Sequence, residues 1–274
     1  MKASEIREHL EVGLEAVLAA GPIALEYFRR PMTVENKRPG DQYDPVTEAD
    51  RRIESLVREL IGSRYPGHRI VGEEHGTSGE GSTYWVIDPI DGTRAFISGM
   101  PTWGILLGLV VEARAVAGIM HQPYTGETWL ADPDGGARLR VGGREIALRT
   151  RADARLSDAI LYSTHPSMFQ DPALRARYEA LSAGSRLQRW GGDCYGFALV
   201  AQGCIDLMVD AMLMPYDIVP MIPIIEGAGG VVTDLEGRSP LSGGTVIAAA
   251  NRRLHAEALA IMTAAPSAGR PQED

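Results

Sequence analysis

Residues Trp85 to Thr93 read WVIDPIDGT, an apolar run that ends in two acids three positions apart, and no other stretch constrains the chain as tightly. Asp88 and Asp91 flank a Pro89–Ile90 bend, and Gly92 and Thr93 follow at once. An apolar strand that ends this way can aim both carboxylates into one cavity, where their repulsion has to be relieved by protons or by cations. A divalent metal ion does this well. The donors in view are all oxygens, which suits a hard ion such as Mg2+, whereas zinc usually draws His or Cys at ligand spacing. Gly92 and Thr93 then offer backbone N–H groups at a predicted helix start, where unsatisfied donors and the helix dipole attract phosphate. On its own, the same D-P-x-D string also reads as an Asx turn around Pro89.

The rest of the pattern describes a scaffold able to bury that junction. At 274 residues the chain is long enough for two lobes sharing an interface, placed at 1–150 (α+β) and 151–274 (α/β), with a cleft between them. Ile6, Leu10, Leu14, Val17 and Leu18 recur at spacings of three and four, which predicts an amphipathic helix over the first thirty residues with a bend at Pro22. The stretch ENKRPGDQYDP, from Glu35 to Pro45, has no periodic apolar face and reads as a loop able to move. Thr47 and Asp50 make a capping box for a second helix, whose buried stripe is Ile53, Leu56, Val57, Leu60 and Ile61. From Arg69 to about Val141, the runs HRIVG, TYWVID, WGILLGLVVE, AVAGIMH and ETWLAD predict successive antiparallel strands. The second half alternates. A strand near AILYST precedes a helix opened by Asp171 and Pro172, a helix at CYGFALVAQG and a strand at IDLMVD; an apolar helix ending at GAGG and a closing strand and helix in TVIAAANRRLHAEALAIM follow. The end from Pro266 reads as frayed.

Charge and composition set aside several classes. The formal net charge of -9 disfavours sequence-independent binding to nucleic acid, which needs a basic surface to displace phosphate counterions. No window approaches about eighteen uninterrupted apolar residues. The start, MKASEIREHLEVG, mixes acids and bases where a secretion signal needs an apolar stretch, so a cytoplasmic enzyme with no membrane partner is expected. Cys194 and Cys204 lack the paired spacing of a zinc site and make no disulfide scaffold, which predicts reduced, buried thiols.

Two further acidic positions extend the pattern: Glu73 and Glu74 in IVGEEHG follow a short apolar strand, and Asp217 in PYDIVP precedes a hydrophobic helix. Read singly, the first pair is a solvated turn and Asp217 an N-cap. Read in order, DPVTEAD (Asp44 to Asp50), GEE (Gly72 to Glu74), WVIDPIDGT with Phe96 after it, GGDC from Gly191, and YDIVP followed by GAGG resemble the inositol monophosphatase family of metal-dependent sugar phosphatases. These blocks span about two thirds of the chain.

The resemblance implies a layered α-β-α-β-α sugar-phosphatase fold with two or three Mg2+ ions in the cleft. It implies that Glu73, Asp88, Asp91 and Asp217 hold the metal through their side chains and Ile90 through its carbonyl, and that Gly92 and Thr93 hold the phosphate. Thr93 and Asp50 would relay a proton from the attacking water, with Glu73 also among the catalytic residues. Asp50 is equally the N3 acid of its helix, a role that needs no chemistry. A homodimer is a further family expectation. Metal-activated water makes a covalent phosphoenzyme unnecessary. Cys194 has no identifiable His partner, and no nucleophile-elbow motif occurs.

Two departures narrow the resemblance. Tyr216 stands where most relatives place Trp, and the usual EAGG becomes EGAGG, so Glu226 is displaced and Gly227 takes its place. With GGDCYGFALVAQG and IPIIEGAGG, these resemble the histidinol-phosphate phosphatases more closely than the inositol enzymes. That resemblance sets Asp193, Cys194 and Asp210 beside the phosphate ester, where the leaving group binds. Two carboxylates there would favour the ammonium and ionisable imidazole of histidinol phosphate over a neutral polyol. Equally, Asp193 caps the helix beginning at Cys194, and Asp210 ends a strand. The expected reaction is hydrolysis of L-histidinol phosphate to L-histidinol and phosphate, a step of histidine biosynthesis. Another phosphatase of the family, acting on inositol phosphate, a sugar bisphosphate or a nucleotide 3′-phosphate, is the alternative. A non-catalytic binding protein ranks last, because every acidic position is filled.

Overall fold

The spacing of three and four that marks the N-terminal segment becomes helix α1 (Ala3–Tyr27), which runs on through Pro22 and buries Ile6, Leu10, Leu14 and Val17. Leu18, expected in the same stripe, is instead 45% exposed, because it lies on the flank of the buried arc. The computed structural model describes residues 1–37, 45–131 and 136–265. Strands β1 (Val34–Asn36) and β2 (Pro45–Thr47) pair antiparallel. The expected loop is therefore strand at both ends, in runs of three residues too short for a period to register. Its middle lies outside the described residues, as do Asp44 and the end from Pro266. Helix α2 (Glu48–Arg64) opens on the expected capping box: the Thr47 N–H and hydroxyl donate to Asp50 Oδ2 at 2.9 and 2.6 Å.

The apolar runs after Arg69 build one sheet. Its members are β3 (Arg69–Gly72), β4 (Gly76–Ser78), β5 (Thr83–Asp91), then, after the short helix α3 (Thr93–Ser98), β6 (Gly104–Val111), β7 (Arg114–Gln122), β8 (Glu127–Ala131), β9 (Ala137–Val141) and β10 (Arg144–Ala147). The order is β10-β9-β8-β7-β6-β5-β3-β4. Pairing is antiparallel as expected except between β3 and β5, which are parallel. The departure has a plain cause: β4 turns back onto the outer edge of β3, and the chain then returns on the inner side in the original direction.

The second half supplies β11 (Ile160–Ser163), α4 (Pro172–Gly184), β12 (Leu187–Trp190), α5 (Asp193–Ala201), β13 (Leu207–Leu213), α6 (Pro215–Ile218), α7 (Met221–Gly227), β14 (Val231–Asp234), β15 (Gly244–Ala249) and α8 (Arg252–Met262). Its sheet runs β12-β11-β13-β15-β14, with β11 parallel to both neighbours and β15 antiparallel to β13 and β14. Cys194 is buried as expected, whereas Cys204, in the turn after α5, is exposed.

Three apolar cores stack the elements. Leu10, Leu14, Ile53 and Ile61 of α1 and α2 close over Trp85, Leu107 and Ile119 on one face of the first sheet. On its other face, Leu106, Met120 and Trp129 meet Phe197 of α5 and Met221 and Ile225 of α7, which also cover Met208 and Val246 of the second sheet. Tyr178 and Leu181 of α4 and Leu254 and Ala258 of α8 cover the far face of that sheet at Leu161, Leu207 and Ile247. The result is the layered α-β-α-β-α arrangement. The middle layer approaches the first sheet closely at Gly118, where an added Cβ would lie 1.9 Å from the Pro220 carbonyl oxygen. Only a residue without a side chain admits the α6–α7 segment there.

Candidate active site

In a regular strand, residues three apart point to opposite faces, so Asp88 and Asp91 would part company. They do not, because the register of β5 against β6 shifts between them: Asp88 faces Leu106, Asp91 faces Gly104, and both Pro89 and Ile90 stand opposite Ile105. One extra residue in β5 makes a β-bulge and returns the second acid to the side of the first. Pro89, with no N–H to contribute to a ladder, suits that irregular position. Asp88 is 2% exposed, and its Oδ1 accepts the Ile90 N–H at 3.0 Å. Asp91 Oδ2 accepts the Cys194 N–H at 2.6 Å, which ties the end of β5 to the start of α5.

Asp217 arrives from the other side as the third residue of α6 and accepts the Met214 N–H at 2.7 Å. It is thus an N3 acid rather than the N-cap that its position before a hydrophobic helix suggests. Ligand atoms of Asp88, Asp91 and Asp217 all lie within 4.8 Å of one another. Burial raises the pKa of each, and repulsion adds to it: Glu73, Asp91 and Asp217 act on Asp88, and Asp217 acts on Asp91. Three such carboxyls remain together only with protons or with cations between them, and an all-oxygen set fits a hard divalent ion. Glu73 lines the same cleft. Lys37 Nζ, for which the sequence carried no signal, holds Glu73 at 2.7 Å and also bonds Glu74. Burial works against the charge on Lys37, yet the two carboxylates keep its pKa above the ordinary lysine value.

Gly92 caps α3 with φ of 83°, and a Cβ there would meet Asp193 Cβ at 3.0 Å, so both the turn and the approach of Asp193 call for glycine. The Thr93 hydroxyl donates to the Ile90 carbonyl at 3.1 Å. Asp50 is fully buried; burial lifts its carboxyl to about 7, with Glu74 and Glu73 adding to the rise and the Thr47 hydrogen bonds opposing it. Its Oδ2 is held by Thr47, and Oδ1 is buried with no hydrogen-bond partner among the described residues. Thr93 and Asp50 are therefore not hydrogen-bonded to each other here.

The two acids expected beside the leaving group have different surroundings. Asp193 is the first residue of α5, not its cap, a place taken by Gly192. It lines the cleft and, among the described residues, accepts a long 3.5 Å contact from the Thr102 hydroxyl; burial, Asp91 and Asp210 raise it well above the usual carboxylate range, against the pull of Thr102 and of the Arg94 cation. Asp210 is 1% exposed and lies behind the wall: Oδ1 accepts the Ser163 hydroxyl at 2.7 Å and the Thr164 N–H at 2.8 Å, and Oδ2 accepts the Thr164 hydroxyl at 2.7 Å. The expectation that Asp210 faces the leaving group is corrected, since β11 and β13 run parallel and bring Ser163 and Thr164 over its carboxylate. Cys194 touches the site through its N–H and, at 3.9 Å, through Sγ to the Asp91 carbonyl. The cleft measures about 240 Å³. Arg94, Thr164, His165 and Ser167 complete it, together with Met168, Met212, Met214 and Tyr216. No sequence pattern marks these as site residues, although most flank the ends of strands that the sequence predicts.

Fold and acidic cleft together define a phosphatase, and the chain belongs to the inositol monophosphatase family, whose model matches residues 5–267. It is accordingly a phosphoric monoester hydrolase. Among its relatives, the histidinol-phosphatase of Chlorobaculum parvum is 36% identical over 89% of this chain and 93% of its own length. The chloroplastic bifunctional phosphatase IMPL2 of Arabidopsis thaliana is 35% identical over 93% and 75% of the two chains. A solved inositol monophosphatase from Zymomonas mobilis superimposes with a TM-score of 0.83 at 34% identity, over 94% of this chain and 98% of that one. No helix among the described residues is long and apolar enough to cross a membrane.

Proposed function

We propose that the chain hydrolyses L-histidinol phosphate to L-histidinol and inorganic phosphate in a Mg2+-dependent reaction. The observation that carries this reading is Asp193, a carboxyl in the cleft beside the phosphate end whose side-chain hydrogen bond among the described residues is a long one from Thr102 and which also feels the charge of Arg94. Burial and Asp91 push its proton affinity up. A primary ammonium group on the leaving group would reverse that, drawing Asp193 to its ionised form through a charge-assisted hydrogen bond. Relatives named histidinol-phosphatase support the same choice.

Glu73, Asp88, Asp91, Asp217 and the Ile90 carbonyl would hold Mg2+. When bound, the metal supplies charge neutralisation and Lewis acidity at the phosphoryl group and at water. The protein's own part is positional. Gly92 and Thr93, at the opening of α3, present N–H groups to the phosphate oxygens. Met214 and Cys194 donate to Asp217 and Asp91, orienting each carboxylate before substrate arrives. Relay through Thr93 and Asp50 would require the Thr93 hydroxyl to leave the Ile90 carbonyl.

The test is phosphate release from histidinol phosphate, inositol 1-phosphate, a sugar bisphosphate and a nucleotide 3′-phosphate at fixed Mg2+, with wild type and Asp193→Asn. Histidinol phosphate is expected to have the highest kcat/KM, and Asp193→Asn to lower it about 10-fold or more relative to inositol phosphate, chiefly through KM, since a charge-assisted contact contributes roughly 1.5 to 3 kcal/mol. A higher kcat/KM for inositol phosphate, or a ratio that does not move in the variant, would overturn the assignment.

A further inference from the structure

Beside the carboxylates, the lining of the cleft includes groups of another chemistry. Met168, Met212, Met214 and Tyr216 all line it. Met212 and Met214 are 48% and 44% exposed, so neither is there to fill a core. The backbone of Met212 adds an independent observation. Its φ is 62°, in the left-handed region, where a side chain is costly and glycine fits freely. It sits in a bulge of β13: Asp210 pairs with Val246 and Leu213 with Gly244, leaving Ala211 and Met212 together opposite Thr245. Ala211 and Leu213 are buried, and Met212 alone is turned out. A large side chain thus stands in a glycine-type conformation and contributes its surface to the cleft rather than to the interior.

Thioethers are apolar, polarizable and poor hydrogen-bond partners, and they pack well against aromatic rings. A polyol pressed on three of them would lose water from its hydroxyls without gaining partners. A flat ring loses little and gains contact. We infer that Met168, Met212 and Met214 form the wall that receives a planar aromatic or heteroaromatic ring in the leaving group, with Met212 setting the preference. This rests on the reading of the cleft as a phosphomonoesterase site but not on the identity of the cation that Asp193 would bind.

Four esters separate the two ideas: histidinol phosphate has a ring and a cation, phenyl phosphate a ring only, phosphoethanolamine a cation only, and glycerol 2-phosphate neither. The deciding quantity is the ratio of kcat/KM for phenyl phosphate to that for glycerol 2-phosphate. Met212→Gly and Met168→Ser should each lower it by about 3- to 10-fold, the size of a sulfur–aromatic contact. Met100→Ser, at an exposed methionine outside the cleft, should leave it unchanged. Met212→Gly should also raise Tm by about 2 °C, because it relieves the left-handed conformation. An unchanged ratio in both cleft variants overturns the inference, as does a fall in Tm for Met212→Gly, which would make the side chain a structural one. Failure to hydrolyse histidinol phosphate while the phenyl to glycerol ratio still falls would sink the proposed substrate and leave the wall standing.

Discussion

Asp210 and Asp193 look alike in sequence, an acid at the end of an apolar run and an acid at the start of a helix, yet their environments differ: Asp193 lines the cleft and Asp210 does not. Asp210 spends both oxygens on Ser163 and Thr164 and holds the end of β11 against β13. Replacing it with Ala would strand three donors, the buried Ser163 hydroxyl and two partly buried groups of Thr164, so Asp210→Ala should destabilise the fold by about 2 to 4 kcal/mol in urea denaturation. A loss under about 0.5 kcal/mol would show that the network is dispensable, since ordinary surface changes fall in that range. The sequence marks both residues as acids near a strand end; which one is covered depends on the strand laid alongside, and that is set by long-range pairing. The same limit explains Lys37, whose two partners, Glu73 and Glu74, lie far along the chain.

Elements were most legible where apolar residues repeat over several turns or alternate over a full strand, as in α1, α2, β6 and β7. Those that escaped notice, such as β4, β12 and β14, have three or four residues each and show no period. Strand direction escaped as well at β3 and β5, because it follows from the path of a hairpin and not from side-chain pattern. The bulge in β5 was legible in outline, since Pro89 between two acids announces an interruption; its consequence, two carboxylates on one side, needs the register of β6. Element packing also fixes Asp217. Gly118 in β7 lets Pro220 come close, three residues beyond that acid. Gly118→Ala would place a methyl 1.9 Å from the Pro220 carbonyl oxygen. We expect it to cost about 2 kcal/mol or more in stability and to weaken Mg2+ binding in calorimetry, since overpacking here must shift α6. Unaltered affinity and stability would mean that α6 is placed by other contacts.

At the scale of the whole molecule, the layers bring one cleft to the ends of two sheets' worth of chain. Glu73 comes from the turn between β3 and β4 and Asp88 and Asp91 from β5, while Asp193 and Asp217 come from the helices packed between the sheets. The fold class was legible because alternation of helices and strands and the order of the acidic blocks survive in the linear sequence; the methionine wall was not, because its members are marked only by where β13 bulges. The central claim is that the clustered acids form a metal site that drives phosphate release. Burial and mutual repulsion raise the proton affinity of Asp88, Asp91 and Asp217, so cation binding must displace protons, and the Mg2+ requirement should grow as pH falls below neutrality. The most direct measurement is the rate of phosphate release from histidinol phosphate by chelator-stripped protein titrated with Mg2+, for wild type and Asp88→Asn. We expect no release without metal, saturable recovery with Mg2+ in the wild type, and in the variant a maximal rate lower by about two orders of magnitude or more, since a charged metal ligand is lost with the volume kept. Release that persists in chelator, or a variant that reaches the wild-type rate at saturating Mg2+, would contradict the account.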